Sequence, residues 1–264
     1  MRKPAFNRRE FMAAAAALGA TPLWAGAKGT SSRVLANERR DLFPEGVASG
    51  DPQPNSVILW TRRPFDGDKT ESRLLIEVAE DETFKQVLVS ATAPVSTAAD
   101  WTCRALVGNL KPATVYWYRF TDELGMTSRV GRTLTAPAEN DPRPVKFAFI
   151  SCQNANFGSQ HAYRRMIFED ERAPEAERLG FVLHLGDFIY EIVWYPEDNP
   201  VGLYGRKVRD IVHYAHGEKI QGFHVPTTVD DYRSIYRAYL HDPDLQDARA
   251  RWPFVPMWDN HEFS

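Results

Sequence analysis

Phe181-Val182-Leu183-His184-Leu185-Gly186-Asp187-Phe188-Ile189-Tyr190-Glu191 is the stretch on which the reading of this 264-residue chain turns. A short continuous apolar run ends in Gly-Asp, the form of a buried parallel strand whose carboxyl end carries a polar group. Two other runs share that form. Val145 to Ile150 leads into Ser151-Cys152-Gln153-Asn154, and Phe254-Val255-Pro256-Met257-Trp258 leads into Asp259-Asn260-His261-Glu262. Ala162 to Phe168 has helical spacing, so the order is β-α-β. In open α/β sheets ligands gather at the carboxyl ends of strands, and here three such ends deliver metal-compatible side chains.

Upstream the pattern changes. Ser56 to Thr61, Leu74 to Ala79, Gln86 to Val89, Thr102 to Val107 and Val115 to Phe120 are short apolar runs broken by turn residues. Such spacing predicts an antiparallel β-sandwich. Leu110 to Tyr118 looks like the corner of a fibronectin type III or immunoglobulin-like domain, where a tyrosine ties back to the preceding turn. Cys103 lies inside one of these strands and reads as a small buried hydrophobe. Ala136 to Pro144 is Pro-rich and polar, a linker. The fold class is therefore mixed α+β: a sandwich over 38–137, a linker over 138–144 and an α/β domain over 145–264.

The first 27 residues read as an address. Arg8-Arg9-Glu10-Phe11 precedes the apolar run Ala13 to Leu23 and then Ala25-Gly26-Ala27, the basic, apolar and A-x-A parts of an export signal, with cleavage expected after Ala27. About a dozen apolar residues are too few to span a hydrocarbon core of ~30 Å, so no stable membrane anchor is expected. The paired arginines with Phe11 two places on resemble a twin-arginine signal, which implies the twin-arginine translocase as partner and a periplasmic or secreted protein. Export of a folded chain hints at a cofactor inserted beforehand. This segment is basic, with four Arg or Lys against one Glu, and leaves 28 basic and 34 acidic residues in the remainder. An acidic mature chain is a poor fit to non-specific nucleic-acid binding. Two cysteines, Cys103 and Cys152, cannot form a disulfide scaffold, and a single pair is the most they allow.

Taken singly the strand-end groups are ambiguous. Cys152 could be a nucleophile, a ligand or filler. Gly186 permits close approach, and Asp187 supplies a carboxylate able to bridge two cations. Tyr190 stands three residues later. Asn260 is a neutral oxygen donor beside His261, an imidazole able to protonate a leaving group.

Gly186-Asp187 followed by Asn260-His261-Glu262 is similar to the pattern of calcineurin-like metallophosphoesterases. With Cys152-Gln153, Gly186 to Glu191, Tyr232 to Arg237 and Trp258 to Glu262, the chain resembles the alkaline phosphatase D (PhoD-like) branch. Phe43 to Pro52 and Leu59 to Arg62 match the opening of that family's N-terminal sandwich. The resemblance implies a four-layer αββα metallophosphoesterase domain that continues past Ser264 with further Asp and His ligands, so 145–264 would be its first part. It also implies that Cys152, Asp187 and Tyr190 hold Fe(III), that Asp187 bridges to Ca2+, that Asn260 is a ligand of the second ion and that His261 is catalytic beside the phosphate. The implied reaction is hydrolysis of phosphate monoesters or diesters, phospholipids among them, by metal-activated water.

Other readings stand beside this one. Phospholipase D-like or phosphotriester hydrolysis is the neighbouring activity; a non-catalytic secreted binding module is a different class. A cysteine-nucleophile hydrolase would need a base, for which His161 is the close candidate in sequence. His184 reads as packing or as a donor behind the ligands, and His213, His216 and His224 as surface residues. Asp230 to Leu240 has helical spacing with Tyr232, Ile235, Tyr236 and Tyr239 on one side. Arg233 or Arg237 could reach phosphate.

Overall fold

Val57, Leu59 and Thr61 are buried while Ile58, Trp60 and Arg62 are partly exposed, the alternation of a strand with one face on a core. In the computed structural model, which describes residues 8–263, this stretch belongs to the first of two units. That unit is Met1–Val145 with Arg249–Phe254; the second is Lys146–Ala248 with Val255–Ser264.

The first unit holds helix α1 (Arg8–Ala17) and strands β1 (Thr21–Trp24), β2 (Val47–Gln53), β3 (Ser56–Arg62), β4 (Glu71–Ala79), β5 (Val87–Ser96), β6 (Thr102–Gly108), β7 (Val115–Thr121) and β8 (Gly131–Leu134). One sheet runs β1-β6-β3-β2 and another β5-β4-β7-β8. Val57, Leu59, Ala105 and Val107 of the one meet Ile76, Val78, Tyr118 and Phe120 of the other in a single apolar core. Cys103 is buried there, and burial pushes its thiol up to about 12. The expected corner is formed: the hydroxyl of buried Tyr116 accepts from Lys111 N at 2.8 Å.

Three strands go beyond the sequence expectation. β2 carries Gly50-Asp51-Pro52, which reads as a turn, yet it pairs with β3 through a register shift at that point, with Asp51 at φ 45°. β8 is short, and its Gly131 admits the Tyr118 ring so closely that a Cβ would lie 2.3 Å from Cζ. β1 falls inside the segment expected to be only an address. It pairs in parallel with β6, from Thr21 opposite Ala105 to Trp24 opposite Gly108.

The whole stretch around β1 is built into this unit. Phe11 is buried over Gly108, where a Cβ would sit 2.5 Å from the ring, and makes an edge contact with Trp24 at 5.1 Å. Arg104 Nη1 donates to Leu18 O, Asn109 Nδ2 to Ala25 O, and Gly26 N to Leu88 O. Residues 1–7, with the basic start of the expected leader, lie outside the described residues. Phe11→Ala is expected to weaken this docking by about 3 kcal/mol. Hydrogen exchange of the 21–26 amides would speed up accordingly, and full exposure of those amides in the unaltered chain would refute the packing. Among the described residues no helix is long and apolar enough to cross a membrane.

The second unit contains β9 (Phe147–Ile150), α2 (His161–Arg172), β10 (Phe181–His184), the hairpin of β11 (Glu218–Ile220) and β12 (Phe223–Val225), and α3 (Val229–Leu240). α4 (Pro243–Arg251) and β13 (Pro253–Pro256) follow, with Arg249–Phe254 belonging to the first unit, where Pro253 and Phe254 pair in parallel with Ser49 and Gly50 of β2. β9 and β10 are parallel with Phe181 opposite Phe147, and Met257 N donates to His184 O, which brings the third run beside β10. α3 starts where Thr228 Oγ1 accepts from Asp231 N and Asp231 Oδ2 accepts from Thr228 N, a capping box. Its apolar side is the expected one: Ile235 and Tyr239 are buried with Tyr232 and Tyr236 packed beside them. Arg233 ion-pairs with Asp230 on the same helix.

Candidate functional site

Gly186 is the pivot of the site. Its φ is +95°, and a Cβ there would lie 2.4 Å from Asp259 Cβ, so the turn after β10 and the loop after β13 touch only because the side chain is absent. Asp187 follows at φ 53° and Cys152 stands at φ 57°, two non-glycine residues held in the left-handed region. Each such position costs of order 1–3 kcal/mol, so the surrounding bonds have to over-determine it. They do: Cys152 N donates to Gly186 O and Gln153 N to Asp187 O, both at 3.2 Å. Gln153 Nε2 adds a bond of 2.7 Å to Phe188 O.

The side chains then converge. Cys152 Sγ lies 3.4 Å from Asp187 Oδ2, and Tyr190 Oη donates to the same oxygen at 3.1 Å. Asp187 is buried, and its other oxygen, Oδ1, has no partner. A bare buried carboxylate oxygen is costly and calls for a ligand. Burial, reinforced by Cys152 and Asp187, pushes the Tyr190 phenol well above its ordinary range, so without a cation it keeps its proton. Among the described residues no three His, Cys, Asp or Glu side chains group as a metal set. A protein donor set of three therefore needs the phenol. Thiolate, phenolate and carboxylate are anionic donors suited to a ferric ion, and the free Oδ1 suits a hard second cation. The residues fit the group that the resemblance implies.

His261 is brought to the same place. Its ring lies 4.1 Å from that of Tyr190, and its Nδ1 is 2.6 Å from Glu191 Oε2. Glu191 is fully enclosed, so the pair fixes Nδ1–H as the donor and leaves Nε2 as the atom able to exchange a proton. Asn260 is exposed, one residue before His261, with its N–H on Asp259 Oδ1 at 2.9 Å.

Two residues here escaped the sequence reading. Glu191 is one. The other is Glu262, whose carboxylate accepts from Asp187 N at 3.1 Å, Phe188 N at 2.5 Å and Asp259 N at 2.7 Å. It clamps the Asp187 turn to the loop that carries His261. The spacing Asp259-x-x-Glu262 is a capping-box signal that pointed to its local bond.

Two histidines are placed differently from expectation, and His184 keeps the packing role expected of it. His161 Nδ1 pairs with Asp244 Oδ2 at 2.8 Å, so the base required for a Cys152 nucleophile is engaged elsewhere. His224 stacks on Tyr195 at 3.6 Å and bonds Asp198, a packed residue rather than a surface one. His184 is wholly buried against Phe188 and neither ring nitrogen has a partner, so it packs and does not donate. Burial lowers its pKa from the usual 6.5 to about 4. The unfolded chain therefore takes up this proton first. Stability is expected to be intact above about 6.5 and to fall by about 3 kcal/mol as the pH drops to 4. Urea midpoints across that range should show the slope, and His184→Leu should flatten it.

Both cysteines are free. Residues 29–137 match the family model "PhoD-like phosphatase, N-terminal domain" and residues 147–264 match "PhoD-like phosphatase". The chain belongs to the PhoD-like phosphatase family. It is 35% identical over 228 residues to alkaline phosphatase D of Bacillus subtilis (strain 168), a match that covers 83% of this chain and 35% of the relative. A solved structure of PhoD aligns at 33% identity and TM-score 0.67, covering 83% of this chain and 39% of that one. The chain thus spans less than two fifths of the length of these PhoD-like relatives. The Cys152–Asp187–Tyr190 cluster and His261 fall within the residues matched to the PhoD-like phosphatase model.

Proposed function

We propose that this chain carries part of the catalytic site of an exported phosphoesterase that hydrolyses phosphate esters with metal-activated water. In this reading the first unit is the family's N-terminal sandwich and the second is the opening portion of an αββα metallophosphoesterase domain. The observation that carries it is the convergence of Cys152 Sγ and Tyr190 Oη on Asp187 Oδ2, with Oδ1 buried and bare.

Fe(III) would be held by Cys152, Asp187 and Tyr190, and Ca2+ by Asp187 with Asn260. When bound, the ions would neutralise phosphoryl oxygens and acidify a water. The chain's own residues prepare the rest. Glu191 holds Nδ1–H of His261, so that Nε2 can pass a proton to the leaving oxygen as it departs. Tyr190 packs against that ring and limits its tilt. Glu262 fixes the separation between the Asp187 turn and the His261 loop through three backbone N–H groups. Because Tyr190 and Cys152 must lose protons to become ligands, metal uptake would release protons and weaken at low pH.

Four protein donors are too few to hold two ions tightly, so further ligands from a longer chain belong to this proposal. The Arg8-Arg9 motif and the A-x-A stretch support export by the twin-arginine pathway to the periplasm or beyond. The test is elemental analysis of this chain and of a form extended by any downstream coding sequence, with hydrolysis of an aryl phosphate and a bis-aryl phosphate. Iron and calcium accompanied by hydrolysis in the extended form support the reading. Neither metal in either form overturns it.

A further inference from the structure

Two loops leave the parallel strands of the second unit. One carries Cys152 and the other Asp187 and Tyr190. Their near ends are joined by the backbone bonds of Cys152 and Gln153 to Gly186 and Asp187. Their far ends are joined by one atom. The hydroxyl oxygen of Tyr239, on α3, accepts from Ala155 N and from Tyr190 N, both at 3.1 Å.

Tyr239 is almost wholly buried and lies in one core cluster with Ala155 and Ile189, against which Tyr190 packs. A hydroxyl oxygen offers two lone pairs, and here each serves a different loop. Burial pushes the Tyr239 hydroxyl well above its ordinary range, so it stays neutral and its acceptor role does not vary with pH. Removing the oxygen while keeping the ring would leave two backbone N–H groups buried without an acceptor, a loss that neither loop can restore from its near end.

We propose that Tyr239 is a positioning residue: its hydroxyl fixes the spacing between the thiol-bearing and phenol-bearing loops, and so sets the reach of Tyr190 to the carboxylate oxygen it shares with Cys152. The assignment rests on the metal-site reading for its consequence, while the two-loop tie is a property of the chain itself. The near-end bonds and Gln153 remain when the oxygen is lost. The loops then stay attached to each other, and it is the placement of Tyr190 that is released.

The test uses the full chain as Tyr239→Phe, with Tyr236→Phe on the same helix as control. In the metal-free protein, amide hydrogen exchange under native conditions reports on the tie, because Ala155 N and Tyr190 N are the groups it holds. Both rates are expected to rise roughly tenfold in Tyr239→Phe, in line with loss of a buried hydrogen bond, and to stay put in the control, while alkylation of the already exposed Cys152 is unchanged in both. With Fe(III) added, the phenolate-to-iron absorption band is expected in the unaltered chain and should shift or vanish in Tyr239→Phe alone, a change that mere loosening elsewhere would not produce. A band present and unmoved, with unchanged exchange, overturns the proposal. A band absent from the unaltered chain counts against the metal reading instead, and exchange then decides. Should Tyr239→Phe fail to fold, amide exchange in the unaltered chain decides: Ala155 and Tyr190 are expected to be protected and to open together, and unprotected exchange at either overturns it.

Discussion

On the proposed metal-site reading, Asp187→Asn in the form extended by downstream coding sequence is expected to reduce phosphoester hydrolysis by roughly a thousandfold or more and to abolish uptake of iron and calcium together. The size follows from the several kcal/mol of charge stabilisation that bound cations supply, at one decade for each 1.36 kcal/mol. Asparagine suits this position better than alanine would. Asp187 sits at φ 53°, a region asparagine tolerates, so the turn after β10 should keep its shape. The amide cannot act as an anionic bridge for two cations, however, and one of its atoms can only donate. Thermal unfolding should move little while metal content and turnover collapse. Retained metal, or turnover within tenfold of the unaltered enzyme, would show that the bridge lies elsewhere.

Gly186→Ala should act through structure. At φ +95° any side chain is strained, and the new Cβ would lie 2.4 Å from Asp259 Cβ and 2.8 Å from Asp259 N. Strain of 1–3 kcal/mol and overpacking of similar size combine to a destabilisation of about 3–5 kcal/mol. Part of that cost can be relieved only by moving the 259–263 loop, and that loop carries His261. Denaturant unfolding should therefore register the loss, and on the proposed reading hydrolysis by the extended form should fall even in the fraction that stays folded. If midpoint and turnover are both unchanged, the close approach at Gly186 is not what holds the two loops together.

Cys152, Asp187 and Tyr190 were legible because each stands within a few residues of an apolar run, so the strand reading placed them at one sheet edge before any contact was known, although the first run, expected to be buried, is exposed at Val145, Phe147 and Phe149. Glu191 and His261 are 70 residues apart, and no local pattern pairs them; only the return of the third run beside β10 does. Tyr239 is similar. Helical spacing put it on the apolar side of α3, but its role lies in one hydroxyl reaching backbone 84 and 49 residues away. The strands β3, β4, β6 and β7 were readable from apolar runs. β2 was not, because Gly50-Asp51-Pro52 carries turn chemistry inside a paired strand. His184 was half legible: its buried place in a strand could be read, and its lack of any partner could not.

The parallel pairing of β1 with β6 bears on the proposed export. Cleavage after Ala27 would take away β1 and the Phe11 ring over Gly108, and β6 would become an open edge with its backbone groups turned to water. Newly freed, the same groups are a template for another chain. The exposed Arg104, midway along β6, is then the main deterrent to end-to-end stacking of shortened molecules. The uncut and the processed protein should accordingly differ in colloidal behaviour, the processed one clouding at lower concentration and clearing with a charge added beside Arg104.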